Sequence, residues 1–250
     1  MLDRVLVLSG LDPCGGAGIA ADIETINQFG ATPLPIVTSL TVQNTRRAIE
    51  VQPVDHQLII KQLNALVDDI DINVVKIGLL SSVEQIKAIT NWLTKSHTVI
   101  LDPIIKASTN DELLVQKSID ILKIELLPKV FFLTPNVSEL EKLAPNLSEQ
   151  EAVKSLPCEW VLITTTDSSE NMIEHRLYHQ GALYKCFSYH KLPGEYHGSG
   201  CTLASAISVL IAAKLDVSVA VKRALDYTYQ TLLNAKRIGK MQYHPNRISP

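Results

Sequence analysis

Short apolar runs alternate with amphipathic segments along almost the whole chain, and this alternation limits the possible folds more than any other feature. The run Arg4–Leu8 is uninterrupted, β-branched in part and followed by a Ser-Gly turn, as in a strand buried on both faces. Ile19, Ile23 and Ile26 then recur at helical spacing, and Gly30 is a typical helix stop. Strands that alternate with helices predict an α/β fold with a mainly parallel central sheet.

The same patterns predict the remaining elements. The predicted strands are 34–40, 74–80, 98–102, 130–134 and 160–164, followed by a hairpin with arms at 173–178 and 183–188. The predicted helices are 59–70, 83–93, 115–127, 138–143, 148–156, 201–215 and 217–235. The sequence contains no linker, repeat or low-complexity tract, and α/β domains often reach this length, so we expect residues 1–250 to form a single domain.

Composition and charge exclude several classes of partner. With 46% hydrophobic residues, a formal net charge of -3 and no basic tract, the chain has a sizeable core and no field that attracts nucleic acid or an anionic membrane. The four cysteines show neither a C-x-x-C pair nor metal-ligand spacing. The first apolar run is too short for a signal peptide, and no stretch approaches the ~20 apolar residues of a membrane span. We therefore expect a cytoplasmic protein with reduced thiols.

Two glycine-rich loops each precede a predicted helix. The first, residues 9–18, allows a backbone to approach a ligand closely, but it matches neither a Walker A loop nor G-x-G-x-x-G, and a tight strand-to-helix turn is the alternative. The second, Gly198-Ser199-Gly200-Cys201, comes directly before a strongly apolar helix, where free backbone N–H groups converge at the positive end of the helix dipole. This arrangement suits a phosphate group, and a helix cap without a further role is the alternative.

Carboxylates and an amide follow two other predicted strands. Asp102 ends one strand, and Asn136 and Glu139 follow another at the i, i+3 spacing that places them on one helix face. In a doubly wound sheet, ligands bind beyond the carboxyl ends of the strands. Because Mg²⁺ prefers few carboxylates together with waters and substrate phosphates, these residues suffice for a magnesium site. Ordinary capping of a helix or turn is the alternative for each.

Six motifs occur together in the order found in a known enzyme family. They are Gly-x-Asp-Pro-x-Gly-Gly-Ala-Gly-Ile-x-Ala-Asp at 10–22, Val-Gln-Asn-Thr at 42–45, Lys-Ile-Gly at 76–78, Leu-Asp-Pro at 101–103, Thr-Pro-Asn-x-x-Glu at 134–139 and His-Gly-Ser-Gly-Cys-Thr-Leu at 197–203. With them the chain resembles, over nearly its whole length, the hydroxymethylpyrimidine/phosphomethylpyrimidine kinases of thiamine synthesis. The resemblance implies a ribokinase-like fold, in which helices flank both faces of the sheet.

The resemblance also implies a reaction and its participants. A member of this family transfers phosphoryl groups from ATP, with Mg²⁺, to 4-amino-5-hydroxymethyl-2-methylpyrimidine and then to the resulting monophosphate. Relatives commonly form homodimers, so a homodimer is implied here as well.

Four groups of site residues carry over from the family to this sequence. Gly198, Ser199, Gly200 and Cys201 are expected around the transferred phosphoryl group, and Gly10, Asp12, Gln43 and Leu79 around the pyrimidine. Asn136, Glu139, Thr164 and Thr166 are expected on the nucleotide side, and Asp102 and Glu139 at the metal. The Gln43 amide carries both a donor and an acceptor, which suits the edge of an aminopyrimidine.

Cys201 occupies the position where sugar-kinase relatives carry an aspartate base. A helix N-terminus lowers the pKa of a thiol from its usual ~8.5, so we expect the pKa of Cys201 to be lowered. Positioning is the alternative role, since alignment and charge neutralisation carry most of the acceleration in phosphoryl transfer.

The sequence departs from the family pattern at three places. Thr164–Asp167 replaces Lys-Gly-Gly-His, which removes a nucleotide-contacting lysine. Ala107–Asn110 replaces Ala-Lys-Ser-Gly, with Lys106 upstream, and Glu195-Tyr196 replaces Asn-Thr. These departures leave two alternatives open: a pyridoxal kinase of the same fold, some of which carry a second cysteine where this chain has Ala107, and a catalytically weak pyrimidine-binding regulatory protein.

Overall fold

A single mixed sheet organises the protein. The computed structural model describes residues 3–105 and 114–248, apart from the side chains of residues 165, 167 and 168. The described strands are β1 (Arg4–Leu11), β2 (Thr32–Asn44), β3 (Arg47–Pro53), β4 (Val74–Ile77), β5 (Thr98–Leu101), β6 (Phe132–Leu133), β7 (Trp160–Ser169), β8 (Met172–His179) and β9 (Ala182–His190). Their order across the sheet is β3-β2-β1-β4-β5-β6-β7-β8-β9.

Six neighbouring strands, in the order β2-β1-β4-β5-β6-β7, are parallel to one another, and antiparallel strands extend both edges of the sheet. Parallel pairing joins β2 to β1, β1 to β4 and so on to β7. Antiparallel pairing adds β3 to β2 at one edge and β8 and β9 to β7 at the other. The predicted α/β fold with a mainly parallel sheet is confirmed.

Helices cover both faces of the sheet. They are α1 (Gly18–Gln28), α2 (His56–Val67), α3 (Val83–Trp92), α4 (Gln116–Ile121), α5 (Val137–Leu143), α6 (Glu149–Ser155), α7 (Ser199–Ala212) and α8 (Val217–Leu233). Alternate residues of β1 enter two apolar clusters: Leu6 and Leu8 pack with α2 to α6, whereas Val5 and Val7 pack with α1, α7 and α8. Strand β1 is therefore buried on both faces, as its sequence predicts.

Three local features differ from the sequence-based expectations. Strand β3 was not predicted, because an exposed edge strand lacks the apolar alternation that marks a half-buried one. The helix predicted over 115–127 ends at Ile121 and continues as a π-helical turn at Leu122–Leu126 and a 3₁₀ turn at Leu127–Lys129, where Pro128 has no amide proton. The hairpin arms reach His179 and Ala182, one residue further on each side than predicted. The β8–β9 connection is therefore a two-residue turn, in which Gln180 and Gly181 both have positive φ.

Two expectations drawn from composition can be compared with the structure. All four cysteines are free thiols, as expected. In residues 3–105 and 114–248, none of the helices combines the length and the apolar composition needed to cross a membrane. The departure at Lys106–Asn110 lies outside the described residues.

Candidate active site

A cavity of about 330 Å³ opens at the carboxyl ends of the parallel strands. The loops that follow β1, β4, β5 and β6 all reach it, as do Thr164 on β7 and the start of α7. Of the predicted site residues, these line the cavity: Gly10, Asp12, Gln43, Leu79, Asp102, Asn136, Glu139, Thr164, Gly198, Ser199, Gly200 and Cys201. The fold thus brings together residues that are up to about 190 positions apart in the chain.

Asp12 organises the first glycine-rich loop. Its carboxylate accepts hydrogen bonds from the backbone amides of Cys14, Gly16 and Ala17 at 2.8, 2.9 and 2.9 Å, and it lies 2.9 Å from Nε2 of His197. Burial acts to raise the pKa of Asp12, but hydrogen bonds from His197, Gln43 and the Cys14 amide outweigh it, so the pKa lies below the usual range. Asp12 is therefore an ionised carboxylate that hydrogen-bonds the first glycine-rich loop and His197, which directly precedes the second loop.

The second loop starts α7 through a glycine in the left-handed region. Gly198 has φ of +84°, and a Cβ at this position would overlap the carbonyl of Gly16 in the first loop. The carbonyl of Gly198 accepts from the amide and the hydroxyl of Thr202 at 3.0 and 2.8 Å. The amides of Ser199, Gly200 and Cys201 precede the first intrahelical hydrogen bond and lie at the cavity wall. They form a group of donors for an anion at the positive end of α7.

Gly10, Gln43 and Leu79 form a wall on the other side of the cavity. The pairing of β1 with β2 shifts register between Ser9 and Gly10, and a Cβ on Gly10 would lie 3.2 Å from Leu79 Cδ2. The glycine therefore leaves room beneath the Leu79 side chain. Nε2 of Gln43 lies 3.5 Å from Nε2 of His197, so the amide faces the same space.

Two buried carboxyl groups, Asp102 and Glu139, share another wall. Glu139 and Asn136 form a capping box at the start of α5, with hydrogen bonds of 2.9 Å in both directions, so both residues cap this helix. Burial and the neighbouring Asp102 raise the pKa of Glu139 to about 8, against hydrogen bonds from the Asn136 and Ile105 amides. Burial raises the pKa of Asp102 to about 6, although Lys76 opposes this change.

This carboxyl pair meets the requirements of a magnesium site. Within the described residues, no group of three or more His, Cys, Asp or Glu side chains could hold a metal ion alone. Mg²⁺ does not need such a group, because it is usually held by one or two carboxylates, waters and substrate phosphates. Two adjacent carboxyl groups that repel each other fit a hydrated divalent cation.

An ion pair lies directly beneath the cavity. Nζ of Lys76 on β4 lies 2.8 Å from Oδ1 of Asp22 on α1, and both side chains have no exposed surface. Ser205 on α7 donates to the same carboxylate at 2.7 Å. Asp22 raises the pKa of Lys76 despite the opposing effect of burial, so this lysine is charged.

The expectation of a lowered pKa for Cys201 is wrong. The thiol is buried and hydrogen-bonds the Asp102 carboxylate. Burial raises the pKa of Cys201 to about 12; Lys76 acts in the opposite direction, and the charges of Asp102 and Asp22 raise it further. Removal from water thus has a larger effect on this thiol than the helix N-terminus.

The structure also corrects the placement of Thr166. Thr164 lines both cavities, whereas Thr166, which the family resemblance also places on the nucleotide side, lines neither. Strand β7 shifts register between Ile163 and Thr166, and the Thr166 hydroxyl instead donates to the Glu174 carbonyl of β8 at 2.5 Å. Thr166 is therefore part of the β7–β8 ladder and not of the cavity wall.

A second cavity, of about 340 Å³, adjoins the first. Thr164, Tyr196, Ser199 and Gly200 line both cavities. The second is mostly apolar and aromatic; its wall includes Ile173, His175, Tyr189, Leu192, Leu203, Leu225, Tyr229 and Leu232. Of the residues that the structure describes, Lys191 is the only lysine or arginine that lines either cavity.

Sequence reasoning gave no role to three residues that shape the site. His197 is part of a quoted motif, yet its contact with Asp12 was not anticipated. Lys76 interrupts the apolar strand Val74–Ile77, and a lysine in a fully buried strand signals a charged partner. Tyr196, considered only as a departure from the family pattern, lines both cavities.

Comparisons with known proteins agree with this architecture. Residues 12–246 match the model of the family described as phosphomethylpyrimidine kinase. The chain is 33% identical over 246 residues to the hydroxymethylpyrimidine/phosphomethylpyrimidine kinase of Aquifex aeolicus, covering 94% of this chain and 96% of that protein. It is similar in structure to the phosphomethylpyrimidine kinase of Clostridium difficile, with a TM-score of 0.76, 27% identity and coverage of 92% and 99% of the two chains. It is also similar to the Staphylococcus aureus pyridoxal kinase in complex with AMP-PCP, with a TM-score of 0.87, 22% identity and coverage of 99% and 94%.

The six motifs, the sheet order and the cavity that collects the motif residues agree with these matches. The chain therefore belongs to the phosphomethylpyrimidine kinase family and has the ribokinase-like fold.

Proposed function

We propose that this protein uses ATP to phosphorylate 4-amino-5-hydroxymethyl-2-methylpyrimidine and its monophosphate in thiamine biosynthesis. One observation carries the proposal. The anion-binding start of α7 opens into the same cavity as the Gly10, Gln43 and Leu79 wall, with the Asp102 and Glu139 carboxyl groups at its side. An acceptor alcohol and a phosphoryl donor would therefore meet in one cavity.

The start of α7 would receive the transferred phosphoryl group. In the first step the acceptor hydroxyl releases its proton to solvent and its oxygen forms a bond to the γ-phosphorus, while the bond from this phosphorus to the bridging oxygen breaks and ADP leaves. In the second step a phosphate oxygen of the monophosphate attacks in the same way. The amides of Ser199, Gly200 and Cys201 are held in position by the helix, so they can donate to the migrating oxygens without reorganising.

The opposite wall would bind the pyrimidine. The Gln43 amide can both donate to and accept from an aminopyrimidine edge, and Leu79 offers an apolar contact to the ring face. One N–H of the Gln43 amide hydrogen-bonds Asp12, so the second N–H and the carbonyl oxygen are the groups that would pair with a complementary ligand edge.

Asp102 and Glu139 would hold Mg²⁺ through water. When bound, this ion neutralises charge on the ATP phosphates. Asn136, which caps α5 beside Glu139, keeps that carboxyl group at the cavity wall.

The second cavity would take the nucleoside part of ATP. Its apolar and aromatic wall suits a purine, and it adjoins the start of α7, where the phosphates would lie. Lys191 would supply the positive charge that the family lysine provides elsewhere, since Thr164–Asp167 lacks that lysine. The complex of the similar S. aureus kinase with AMP-PCP supports the use of ATP.

The assembly is proposed to be a homodimer of one-domain chains. All nine described strands belong to one sheet, which supports a single domain. Leu40, Val42 and Ile49 on β2 and β3 are 48%, 49% and 56% exposed, which supports a partner chain at this edge.

The test measures ADP release from MgATP with four additions side by side: hydroxymethylpyrimidine, its monophosphate, pyridoxal and no acceptor. We expect turnover with both pyrimidines and only background without acceptor. Turnover with pyridoxal alone would assign the protein to the pyridoxal kinases. Calorimetric binding of the pyrimidine without any turnover would support a regulatory binding protein.

Replacing Lys191 tests the nucleotide side. In Lys191→Met we expect the KM for ATP to rise by about tenfold, the equivalent of one lost charge contact of about 1.4 kcal/mol, with the Kd for the pyrimidine unchanged. Lys185→Met is the matched control, because Lys185 lies on β9, which ends directly before Lys191, and does not line either cavity. An unchanged KM in Lys191→Met would remove Lys191 from the nucleotide site.

A further inference from the structure

The segment after α8 returns to the two glycine-rich loops. The amide of His197 donates to the Tyr243 carbonyl at 2.9 Å, and the amide of Tyr243 donates to the Glu195 carbonyl at 2.8 Å. This short pairing carries the chain past the start of α7 and places Arg247 behind it. Arg247 is 2% exposed and does not line either cavity.

The Arg247 guanidinium contacts both loops at once. Its Nη2 donates to the Gly16 carbonyl of the first loop and lies 3.5 Å from the Gly198 carbonyl of the second. Its Nε donates to the Thr202 hydroxyl at 2.7 Å, and that hydroxyl donates to the Gly198 carbonyl at 2.8 Å. On its outer side, Nη1 lies 3.1 Å from the carboxylate of Glu24, whose side chain is 40% exposed.

These contacts set the orientation of two peptide groups. In a trans peptide the C=O and the following N–H point in opposite directions. A Gly198 carbonyl that faces Arg247 therefore turns the Ser199 amide away from it, and Ser199 lines the cavity. The Gly16–Ala17 peptide is held at both ends, by Arg247 at its oxygen and by Asp12 at its N–H, at 2.9 Å.

The Arg247 guanidinium is a buried positive charge beside a helix N-terminus, which is an unfavourable position for a cation. A positive charge beside a helix N-terminus opposes the helix dipole, and its burial needs compensation. Apart from Glu24, the described groups that compensate it are neutral oxygens of the two loops. The same placement raises the positive potential at the start of α7, where an anion would bind.

We propose that Arg247 is a positioning residue for phosphoryl transfer: it aligns the two glycine-rich loops and directs the amides at the start of α7 toward the transferred group. This inference rests on the kinase function proposed above. Arg247 acts through the loops, because its own side chain lies outside the cavity.

The kinetic test compares Arg247→Met and Arg247→Lys with Glu24→Gln, which removes only the outer contact of the guanidinium. Because small misplacements at a reacting centre cost up to about 100-fold, we expect kcat to fall by about that factor in Arg247→Met and by about tenfold in Arg247→Lys. The KM for the acceptor should stay within about twofold, and Glu24→Gln should keep the wild-type kcat.

A chemical rescue uses a further variant, Arg247→Ala. Added guanidinium chloride at low millimolar concentration should restore part of the activity of this variant. A kcat in Arg247→Met within about threefold of wild type, per folded molecule, overturns the proposal.

A second measurement does not depend on turnover. Hydrogen exchange at the amides of Gly16, Ala17 and Thr202, all hydrogen-bonded in the structure, should be faster in Arg247→Met than in Glu24→Gln. If the wild-type protein phosphorylates none of the acceptors, the proposed kinase function is wrong. Hydrogen exchange at these amides then still tests whether Arg247 aligns the two glycine-rich loops. If Arg247→Met does not fold, Thr202→Val, which removes the bridging hydroxyl, takes its place. Equal exchange in the variant and wild type overturns the proposal.

Discussion

The thiol of Cys201 lies between a buried cation and a buried carboxylate. It hydrogen-bonds Asp102, and Lys76 is near enough to oppose the rise of its pKa. With a pKa of about 12, the thiol stays protonated at neutral pH and does not serve as a ready base. We therefore propose that Cys201 positions Asp102 at the start of α7.

Replacing Cys201 tests this role. We expect Cys201→Ala to lower kcat more than it changes the KM for the acceptor, by less than the roughly 100-fold that marks the loss of a general base. Cys201→Ser, which keeps a hydrogen-bond donor, should retain more activity. Steady-state kinetics between pH 6 and 9 should show no titration limb that Cys201→Ala removes, and such a limb would restore the base assignment.

His175, in the wall of the second cavity, makes stability depend on pH. Burial lowers the pKa of His175 to about 4, although Glu174 opposes this change. Between pH 4 and the unfolded value of 6.5, the unfolded chain binds more protons, so the free energy of unfolding falls as the pH falls, by up to about 3 kcal/mol. Urea unfolding should show a smaller pH slope in His175→Gln. The exposed His190→Gln is the control and should keep the wild-type slope; equal slopes in all three proteins would contradict the prediction.

At the scale of elements, one buried ion pair joins α1, β4 and α7. Lys76, Asp22 and Ser205 come from these three elements and meet where water is excluded. Removing one partner of such a pair leaves an uncompensated buried charge.

Lys76→Met should therefore lower the free energy of unfolding by roughly 3–5 kcal/mol. The control is Lys222→Met, which breaks an exposed ion pair with Asp226 on α8 and should cost less than about 1 kcal/mol. Denaturant unfolding of both variants measures the difference. A similar loss in the two variants would mean that the buried pair does not hold these elements together.

The contact between the two glycine-rich loops is a second element-scale constraint. Alanine in the left-handed region costs about 1–2 kcal/mol by itself, which is the expected loss for Gly30→Ala, because nothing lies within 4 Å of that position. In Gly198→Ala the new methyl group would also overlap the Gly16 carbonyl. We expect Gly198→Ala to lose more stability than Gly30→Ala in urea unfolding, and to lose most activity while Gly30→Ala keeps it. Equal losses would show that the loops can separate without consequence.

At the scale of the whole molecule, the β2–β3 edge is the candidate surface for the proposed homodimer. An exposed apolar edge of a sheet invites pairing, and a second copy is the commonest partner in a symmetric assembly. Light scattering after size exclusion should give the mass of a dimer for wild type. The Val42→Glu/Ile49→Glu protein should give the mass of a monomer. Val219→Glu, at an exposed position of α8, should remain dimeric. A monomeric wild type would contradict the prediction.

Patterns within a few residues were enough to predict most of the architecture. The apolar run Val5–Leu8 and the helical spacing of Ile19, Ile23 and Ile26 depend only on near neighbours, and both elements formed as expected. Because the carboxyl ends of parallel strands meet at one edge, the motif positions also indicated which side chains would share a cavity.

Properties that depend on residues far away in the chain were accessible only once the protein was folded. The face taken by Thr166 depends on a register shift against β8, and the pKa of Cys201 depends on burial among Asp102, Asp22 and Lys76. Arg247 meets Gly16 from 231 positions away. Local sequence sets the propensity of each segment, whereas dielectric environment, register and long-range contacts arise only when the segments pack together.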